Sequence, residues 1–279
     1  MPALYALGQH DALHEAASRL HANDHVFAFL DDIYIITTRE LAREAIAVVT
    51  QSISSKAGVQ THLGKLEVWS PCGGAAPPGV AQLSPTAWKG DAPDHENGLV
   101  ILGAPLGHPT FVQTHAENRM EEEQHLLQFL PEFEDLQAAW VLLLHCASPR
   151  ANHLLRLLPP SASAPCARSH DDALRECCSQ LLQQSRPLGR NGQAWRTAAL
   201  PLRLGGGRLR SAERTAPAAH SWADALPKVR RRNQNLADRV CRELEAGGAS
   251  PAPCFQEVAA AGHLLAEEGW ERQNLDGNP

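Results

Sequence analysis

Two adjacent carboxylates, Asp31 and Asp32, interrupt an otherwise apolar stretch over residues 27–36. Aromatic and β-branched residues flank the pair, a pattern typical of short strands that are buried on both faces. An ionised carboxylate in such a place is costly unless a partner neutralises it, and the nearest Lys or Arg residues in sequence are Arg19 and Arg39. Because hard divalent cations bind carboxylate oxygens, the pair is a candidate metal site.

A structural explanation of the acid pair stands beside the chemical one. Asp is a favoured turn residue, so Asp31 and Asp32 could form an ordinary turn between strands over residues 26–30 and 33–36. Both explanations place the carboxylates at the tip of a β-hairpin. The choice between them therefore depends on the segments that follow.

The segments around the hairpin are predicted to be helices and a loop. Apolar residues at helical spacing indicate a helix over residues 2–20. Thr37 and Glu40 fit a capping box, which predicts a helix that ends at Gly58 and covers one face of the sheet. Residues 70–98 are rich in Pro, Gly and Ala and are predicted to be an insertion or surface loop.

A compact strand over residues 99–102 is predicted after this loop, closed by a tight turn over 103–107. The predicted fold class is α+β, in which a small antiparallel sheet with helices on one face precedes an α-helical bundle. Three regions are expected, namely residues 1–107, a helical region over 108–250, and a helical tail over 251–279 whose end is disordered. Helical patterns in the second half run over residues 111–130, 136–146, 167–184, 211–226, 228–246 and 255–268.

Charge is distributed unevenly along the chain, although the net charge is only −6. Residues 1–145 carry 7 basic and 18 acidic side chains, whereas residues 150–242 carry 17 basic and 6 acidic ones. A basic region next to an acidic one that could hold metal ions is typical of proteins that handle polyanions. A solvated surface on a helical domain would show the same charges. The cluster Lys228–Arg232 fits a nucleic-acid contact, a nuclear-import signal or an exposed helix face.

The seven cysteines are scattered and form no Cys-x-x-Cys pair, which indicates a reducing compartment. The N-terminus lacks the basic region of a signal peptide, and no apolar run reaches membrane-spanning length. An intracellular protein of the nucleus or cytoplasm is therefore expected, neither secreted nor embedded in a membrane. Cys166, His170, Cys177 and Cys178 lie close together in sequence but match no zinc spacing.

Several segments together resemble the reverse transcriptase domain of non-LTR (LINE-type) retrotransposons. Phe29 to Asp32 resembles the aromatic-x-Asp-Asp box of the polymerase palm. The resemblance covers roughly residues 1–225, and residues 1–7 resemble part of the helix that precedes the box. Downstream, residues 58–67 resemble the element that ends in Lys-x-Glu, with His62 or Leu63 in place of the usual Asn. Residues 102–107 resemble the primer-grip hairpin. Residues 148–159 resemble the thumb, and residues 205–209 resemble the Gly-Gly-x-Gly-Leu segment that follows the thumb.

The resemblance implies an RNA-directed DNA polymerase that transfers nucleotides with two Mg²⁺ (or Mn²⁺) ions. It suggests Asp31 as a direct metal ligand and Asp32 as a supporting one. Lys65 would lie near the pyrophosphate as a candidate general acid, because a lysine can protonate a leaving oxygen. An ordinary surface lysine remains the alternative for Lys65.

The implied partners are an RNA/DNA template–primer duplex and a deoxynucleoside triphosphate. The turn formed by Leu102, Gly103, Pro105 and Gly107 would hold the primer end through backbone contacts. Four arginines would contact duplex phosphates without reading the base sequence. They are Arg150, Arg156, Arg208 and Arg210.

The departures from the family pattern limit these expectations. The family places a further Asp upstream of the acid box and has fingers that hold the nucleotide, and this sequence contains neither. The chain thus resembles the second half of a palm plus a thumb, and an upstream palm and fingers segment is a candidate partner that would complete it. The two-ion site is incomplete in this chain, and no activity is expected from it in isolation. Two alternatives are a non-catalytic nucleic-acid-binding helical protein and an unrelated α/β domain whose acids form a plain turn.

Overall fold

The computed structural model describes residues 2–184, 188–189, 192–200, 202–221, 230–231, 233–246 and 253–267. The chain forms two compact units, Met1–Val112 and Gln113–Pro279, called unit 1 and unit 2 below. Helices dominate the described residues, which also form two small antiparallel sheets. The predicted α+β class is therefore confirmed. Among the residues that the structure describes, no helix is both long enough and apolar enough to span a membrane.

Unit 1 combines two helices with two β-hairpins, and a third helix begins at its end. Each hairpin is a separate two-stranded antiparallel sheet. In chain order the elements are α1 Pro2–Arg19, β1 His25–Phe29, β2 Asp32–Ile36, α2 Ala42–Ala57, β3 Gly98–Ile101, β4 Ala104–Gly107 and α3 Pro109–Phe129.

The core of unit 1 lies between α1 and α2. Ala12 and Ala16 of α1 pack with Val49 and Ile53 of α2, and all four side chains are buried. Both helices are amphipathic as their sequence patterns predict. The second one ends at Gly58, whose φ of 65° is the left-handed cap conformation that glycine adopts without strain.

Helix α2 begins later than the sequence predicts. Its N-cap is Leu41 and its first helical residue is Ala42, so the prediction of a capping box at Thr37 and Glu40 is wrong. The residues before the helix form a turn, in which the Leu41 amide donates to the Thr38 carbonyl at 3.2 Å. A capping box satisfies only local backbone groups, and contacts with a distant segment compete with it here.

That distant segment is the loop over residues 70–98. It lacks regular strands, as predicted, yet it encloses a small core in which Val80 and Ala87 are fully buried against the first turn of α2. Arg39 ties the approach to α2 onto this loop, because its Nη1 donates to the Gly73 carbonyl at 2.9 Å. The loop is therefore a packed part of unit 1.

Unit 2 is helical throughout its described elements. The predicted helix after residue 136 is confirmed, but it ends in a π-helical turn over Leu143–Ala147. The helix predicted from residue 167 begins seven residues earlier, with Pro160 in its first turn. After α3 the helices are α4 Leu136–Leu142, α5 Asn152–Leu157, α6 Pro160–Leu181, α7 Gln193–Ala199, α8 Ala212–His220, α9 Gln234–Ala246 and α10 Pro253–Glu267.

The core of unit 2 forms around α6. Leu174 and Cys178 of this helix are fully buried with Leu130 and Leu143. A smaller cluster joins α9 to α10 through Cys241 and Val258. Most of the basic cluster Lys228–Arg232 and the tail beyond residue 267 lie outside the described residues.

Candidate functional site

The acid pair lies at a hairpin tip, as predicted. Phe29 pairs with Asp32 in the antiparallel register, which leaves Leu30 and Asp31 as a two-residue turn. Leu30 has a φ of 57°. This left-handed conformation is rare for a residue with a branched side chain, and it favours glycine. The backbone of the turn that carries the carboxylates is therefore strained, because a leucine occupies a position that favours glycine.

The prediction that both faces of these strands are buried is wrong. Cross-strand partners share a face, and the outer face exposes Phe27 by 54%, Phe29 by 55% and Ile36 by 58%. The strands are apolar on both faces, so the sequence hides the alternation that normally marks a half-exposed sheet. On the inner face, Val26, Ile33 and Ile35 pack against the core between α1 and α2.

Asp31 and Asp32 are consequently both exposed to solvent. Because water can solvate these carboxylates, they do not need a bound cation to offset burial, and the prediction of a cation on that ground is wrong. Their oxygens are accessible donors of the type that hard cations prefer. Among the described residues, however, no group of three or more His, Cys, Asp or Glu side chains is placed to hold a metal ion.

Tyr34 lies next to the acid pair on the outer face. Its hydroxyl donates to Oδ2 of Asp32 at 3.3 Å. Burial, followed by the charge of Asp32 and this hydrogen bond, raises the pKa of Tyr34, and a backbone hydrogen bond from Leu102 opposes the rise. The sequence analysis missed Tyr34, although its position two residues after Asp32 places both side chains on one face of a strand.

The contact between the Leu102 backbone and Tyr34 also joins the second hairpin to the first. Leu102 and Gly103 form the two-residue turn between β3 and β4, with φ values of 51° and 80°. The predicted five-residue turn is therefore too long, because the segment from Ala104 onward continues as a strand. Pro105 is buried in that strand opposite Val100. In unit 1, the tip of the second hairpin thus reaches the outer face of the first.

Gly107 has a steric role at the base of the second hairpin. It pairs with Gly98. A Cβ on Gly98 would clash with the ring of Phe111. A Cβ on Gly107 would clash with the Asn97 carbonyl oxygen and the Gly98 Cα and would crowd the same ring. The absence of two side chains therefore lets the first turn of α3 pack directly onto the strands. This requirement explains Gly107 without any contact to nucleic acid.

Lys65 lies in a short 3₁₀ turn over Leu63–Lys65 and is exposed. Within the described residues no ion pair joins it to Asp31 or Asp32. Nearby, Glu67 pairs with Lys89 at 3.7 Å. The position of Lys65 is open to a ligand, and the geometry alone gives it no catalytic role.

All four predicted phosphate-binding arginines belong to unit 2 and are exposed. Arg150 follows the π-helical turn, and Arg210 immediately precedes the N-cap of α8. The Arg210 amide donates to Oγ of Ser148 at 3.3 Å across 62 residues of sequence. Two segments that the sequence analysis treated as separate motifs are therefore adjacent in the fold. The other two arginines are Arg156 in α5 and Arg208, whose φ of 61° is left-handed.

A buried aspartate fixes this junction. Asp171 of α6 is 2% exposed and accepts hydrogen bonds from the Ser211 hydroxyl at 2.6 Å and from the Ala212 amide at 2.7 Å. A carboxylate at a helix N-terminus satisfies free amides and is favoured by the helix dipole. Asp171 thus anchors α8 to α6. This role was not predicted from the sequence, because Asp171 lies 40 residues before the helix that it caps and so produces no local sequence pattern.

The cysteine-rich part of α6 is a hydrophobic core and does not resemble a zinc site. Cys177 and Cys178 are both buried, and burial raises the pKa of the Cys177 thiol to about 12 and that of Cys178 to about 11. Zinc binds the thiolate form, which this environment disfavours.

No family model matches the chain, and neither a curated protein nor a solved structure matches it. The resemblance to reverse transcriptases therefore depends on the order and spacing of the motifs.

Proposed function

We propose that the chain is a part of a retrotransposon reverse transcriptase, an RNA-directed DNA polymerase, with unit 1 derived from the palm and unit 2 from the thumb. One observation carries the proposal: the exposed acid pair lies at a hairpin tip, and a second hairpin tip contacts the same sheet face through Tyr34 and Leu102. The proposal is supported by the proximity of these two motifs, which are 70 residues apart in sequence. The family motifs predict both hairpins in this order.

The residues of unit 1 take distinct parts in this proposal. Asp31 would be a direct ligand of Mg²⁺ or Mn²⁺, and Asp32 would support it while it accepts the hydrogen bond from Tyr34. Metal ions bound there would stabilise charge on the attacking and leaving oxygens of nucleotidyl transfer. Lys65 would supply a proton to the leaving pyrophosphate. The backbone of the Leu102–Gly103 turn would position the primer end.

Metal binding at the hairpin tip is the most direct test. In an NMR titration with Mn²⁺, we expect the amide signals of residues 30–34 to broaden first, because a paramagnetic ion broadens nearby nuclei. The double substitution Asp31→Asn with Asp32→Asn should abolish this local effect. As a matched control, Asp91→Asn with Asp94→Asn removes two exposed acids elsewhere in unit 1. Equal broadening at the tip with and without its aspartates would contradict the proposal.

Polymerase activity is the second measurement. With two carboxylates in place of a full metal site, we expect no primer extension on an RNA template with either Mg²⁺ or Mn²⁺. Template-dependent extension that Asp31→Ala abolishes would show that this expectation of inactivity is wrong, and it would strengthen the assignment to reverse transcriptases.

A non-catalytic nucleic-acid-binding protein is the second candidate. The observation that favours it is the junction in unit 2, where Arg150 and Arg210 lie on adjacent segments that Ser148 joins. Duplex binding that persists in the Asp31→Asn/Asp32→Asn variant, together with no Mn²⁺ effect at the hairpin tip, would support this candidate over the first.

A further inference from the structure

Two histidines lie one helical turn apart on α1. His10 and His14 are both exposed, and their ring centroids are 4.5 Å apart with the ring planes at 77°. Neither the acid hairpin nor the arginine junction involves them. The helix that carries them is held in place, because Ala12 and Ala16 on its opposite side are fully buried.

The separation of the rings suits one shared metal ion. With a metal–nitrogen bond of about 2.0–2.1 Å, each ring centroid lies about 3.2 Å from the ion. Two such rings at ligand angles of about 90° to 110° would have centroids roughly 4.5 to 5.2 Å apart. The observed centroid distance of 4.5 Å lies at the lower end of this range, so the spacing of the two rings is compatible with one shared ion.

We propose that His10 and His14 form a surface site for a divalent transition-metal ion of the Zn²⁺, Ni²⁺ and Cu²⁺ class. Imidazole nitrogen suits these borderline ions, whereas Mg²⁺ and Ca²⁺ prefer oxygen. Of the described residues, no third His, Cys, Asp or Glu joins the pair in a metal-binding group. Water or a ligand from outside the described residues would fill the remaining coordination positions.

The site is independent of the proposed polymerase function. It uses different residues, and it selects a different class of ion from the carboxylates at the hairpin tip. Loss of one site should therefore leave the other unchanged. Ions bound here also stabilise the folded form of unit 1, because the i, i+4 geometry exists only while α1 is helical.

The test is a relaxation map with substoichiometric Cu²⁺ on protein without an affinity tag. We expect the amide signals of residues 8–18 to broaden before others. Calorimetric titration with Ni²⁺ should give one equivalent of binding that His10→Gln or His14→Gln weakens by roughly tenfold or more. The control His21→Gln with His125→Gln removes two exposed histidines that are not paired on one helix, and it should leave this equivalent intact.

A rescue variant separates metal binding from helix damage. Ser18 is exposed one turn after His14, so His10→Gln with Ser18→His rebuilds the pair with the same spacing. We expect this variant to recover Ni²⁺ binding and to move the Cu²⁺ effect toward Ser18. If binding is unaffected by the single substitutions, or if the rescue variant does not recover it, the proposal is wrong. Asp31→Asn with Asp32→Asn should not change the Ni²⁺ titration.

Discussion

At the scale of single residues, the hairpin turn depends on a leucine in a conformation that suits glycine. Leu30 has a φ of 57°, and Leu102 at the equivalent position of the second hairpin has a φ of 51°. A side chain in the left-handed region costs roughly 1–2 kcal/mol relative to glycine. Both hairpins that carry the predicted functional motifs therefore store strain in their turns, a feature often found at functional sites.

The strain at Leu30 can be measured by comparing Leu30→Gly with Leu30→Ala. In ordinary strands glycine is less stable than alanine by roughly 0.5–1 kcal/mol. At Leu30 we expect the reverse order, with the glycine variant more stable than the alanine variant by about 1 kcal/mol in urea unfolding. The same comparison at Val26, whose φ is not positive, should give the ordinary order. An ordinary order at both positions would show that the turn is unstrained.

The ionisation of Tyr34 provides a second residue-scale prediction. Because its pKa is raised by burial and then by Asp32, we expect the phenol to titrate above 10.0 in the folded protein and Asp32→Asn to lower the pKa without restoring it fully. The chain has two tyrosines, so Tyr5→Phe leaves Tyr34 as the sole source of the ultraviolet absorbance change that accompanies ionisation of a tyrosine. Its raised pKa penalises the folded state only as pH rises above 10, where the unfolded phenol ionises first. An unchanged titration in Asp32→Asn would exclude the carboxylate as a cause.

At the scale of elements, Asp171 helps to hold α8 against α6, together with the buried contact between Ala167 and Ala216. It accepts from the Ser211 hydroxyl and from the amides of Ala212 and Glu213 while almost fully buried. In Asp171→Asn an NH₂ group would face one of these donors. We therefore expect a loss of about 2–3 kcal/mol in the free energy of unfolding.

The control for Asp171 is the same substitution at an exposed cap. Asp135 is the N-cap of α4 and accepts from Gln137 and Ala138 amides at 2.8 and 3.2 Å. Asn caps helices about as well as Asp, so Asp135→Asn should change stability by only a few tenths of a kcal/mol. Equal effects at Asp171 and Asp135 in urea unfolding would mean that burial adds nothing to the cap.

Elements whose patterns depend on local periodicity were predictable from the sequence. The helices α1, α3 and α4 and the first hairpin follow from hydrophobic spacing and turn residues, because these signals act over a few residues. The strand β4 did not, because its residues Ala104 to Gly107 carry the Gly and Pro pattern of a turn. The start of α2 was not predictable from local signals, since the residues before it contact a distant loop, with Arg39 donating to the Gly73 carbonyl. The capping role of Asp171 was not predictable for the same reason, because its hydrogen-bond partners are about 40 residues away. The exposed outer face was missed because both faces of the strands are apolar.

At the scale of the whole molecule, the charge asymmetry along the sequence does not follow the structural units. Unit 1 carries 6 basic and 11 acidic residues, whereas unit 2 carries 19 basic and 20 acidic ones. The acids of α3 and of the C-terminal region offset the arginines of residues 150–242. Attraction of a polyanion by unit 2 would therefore depend on where its arginines lie, because its net charge is close to zero.

This local origin leads to a prediction for duplex binding. The double substitution Arg150→Ala with Arg210→Ala should reduce the slope of log affinity against log salt by about 2, because each phosphate contact contributes about 0.9. Arg119→Ala removes an arginine that pairs with Glu122 at 2.7 Å and should leave the slope unchanged. Identical slopes for the two variants, measured with an RNA/DNA hybrid, would exclude Arg150 and Arg210 from the interface.

The buried thiols of unit 2 provide an internal reporter of unfolding. Cys72, Cys146 and Cys254 are exposed, whereas Cys177 and Cys178 are buried with raised pKa values. Alkylating reagents attack the thiolate, so the exposed group should be modified rapidly and the buried pair only when the helices around α6 separate. The rate at which Cys177 and Cys178 acquire label would then measure how often this core opens, residue by residue and without denaturant.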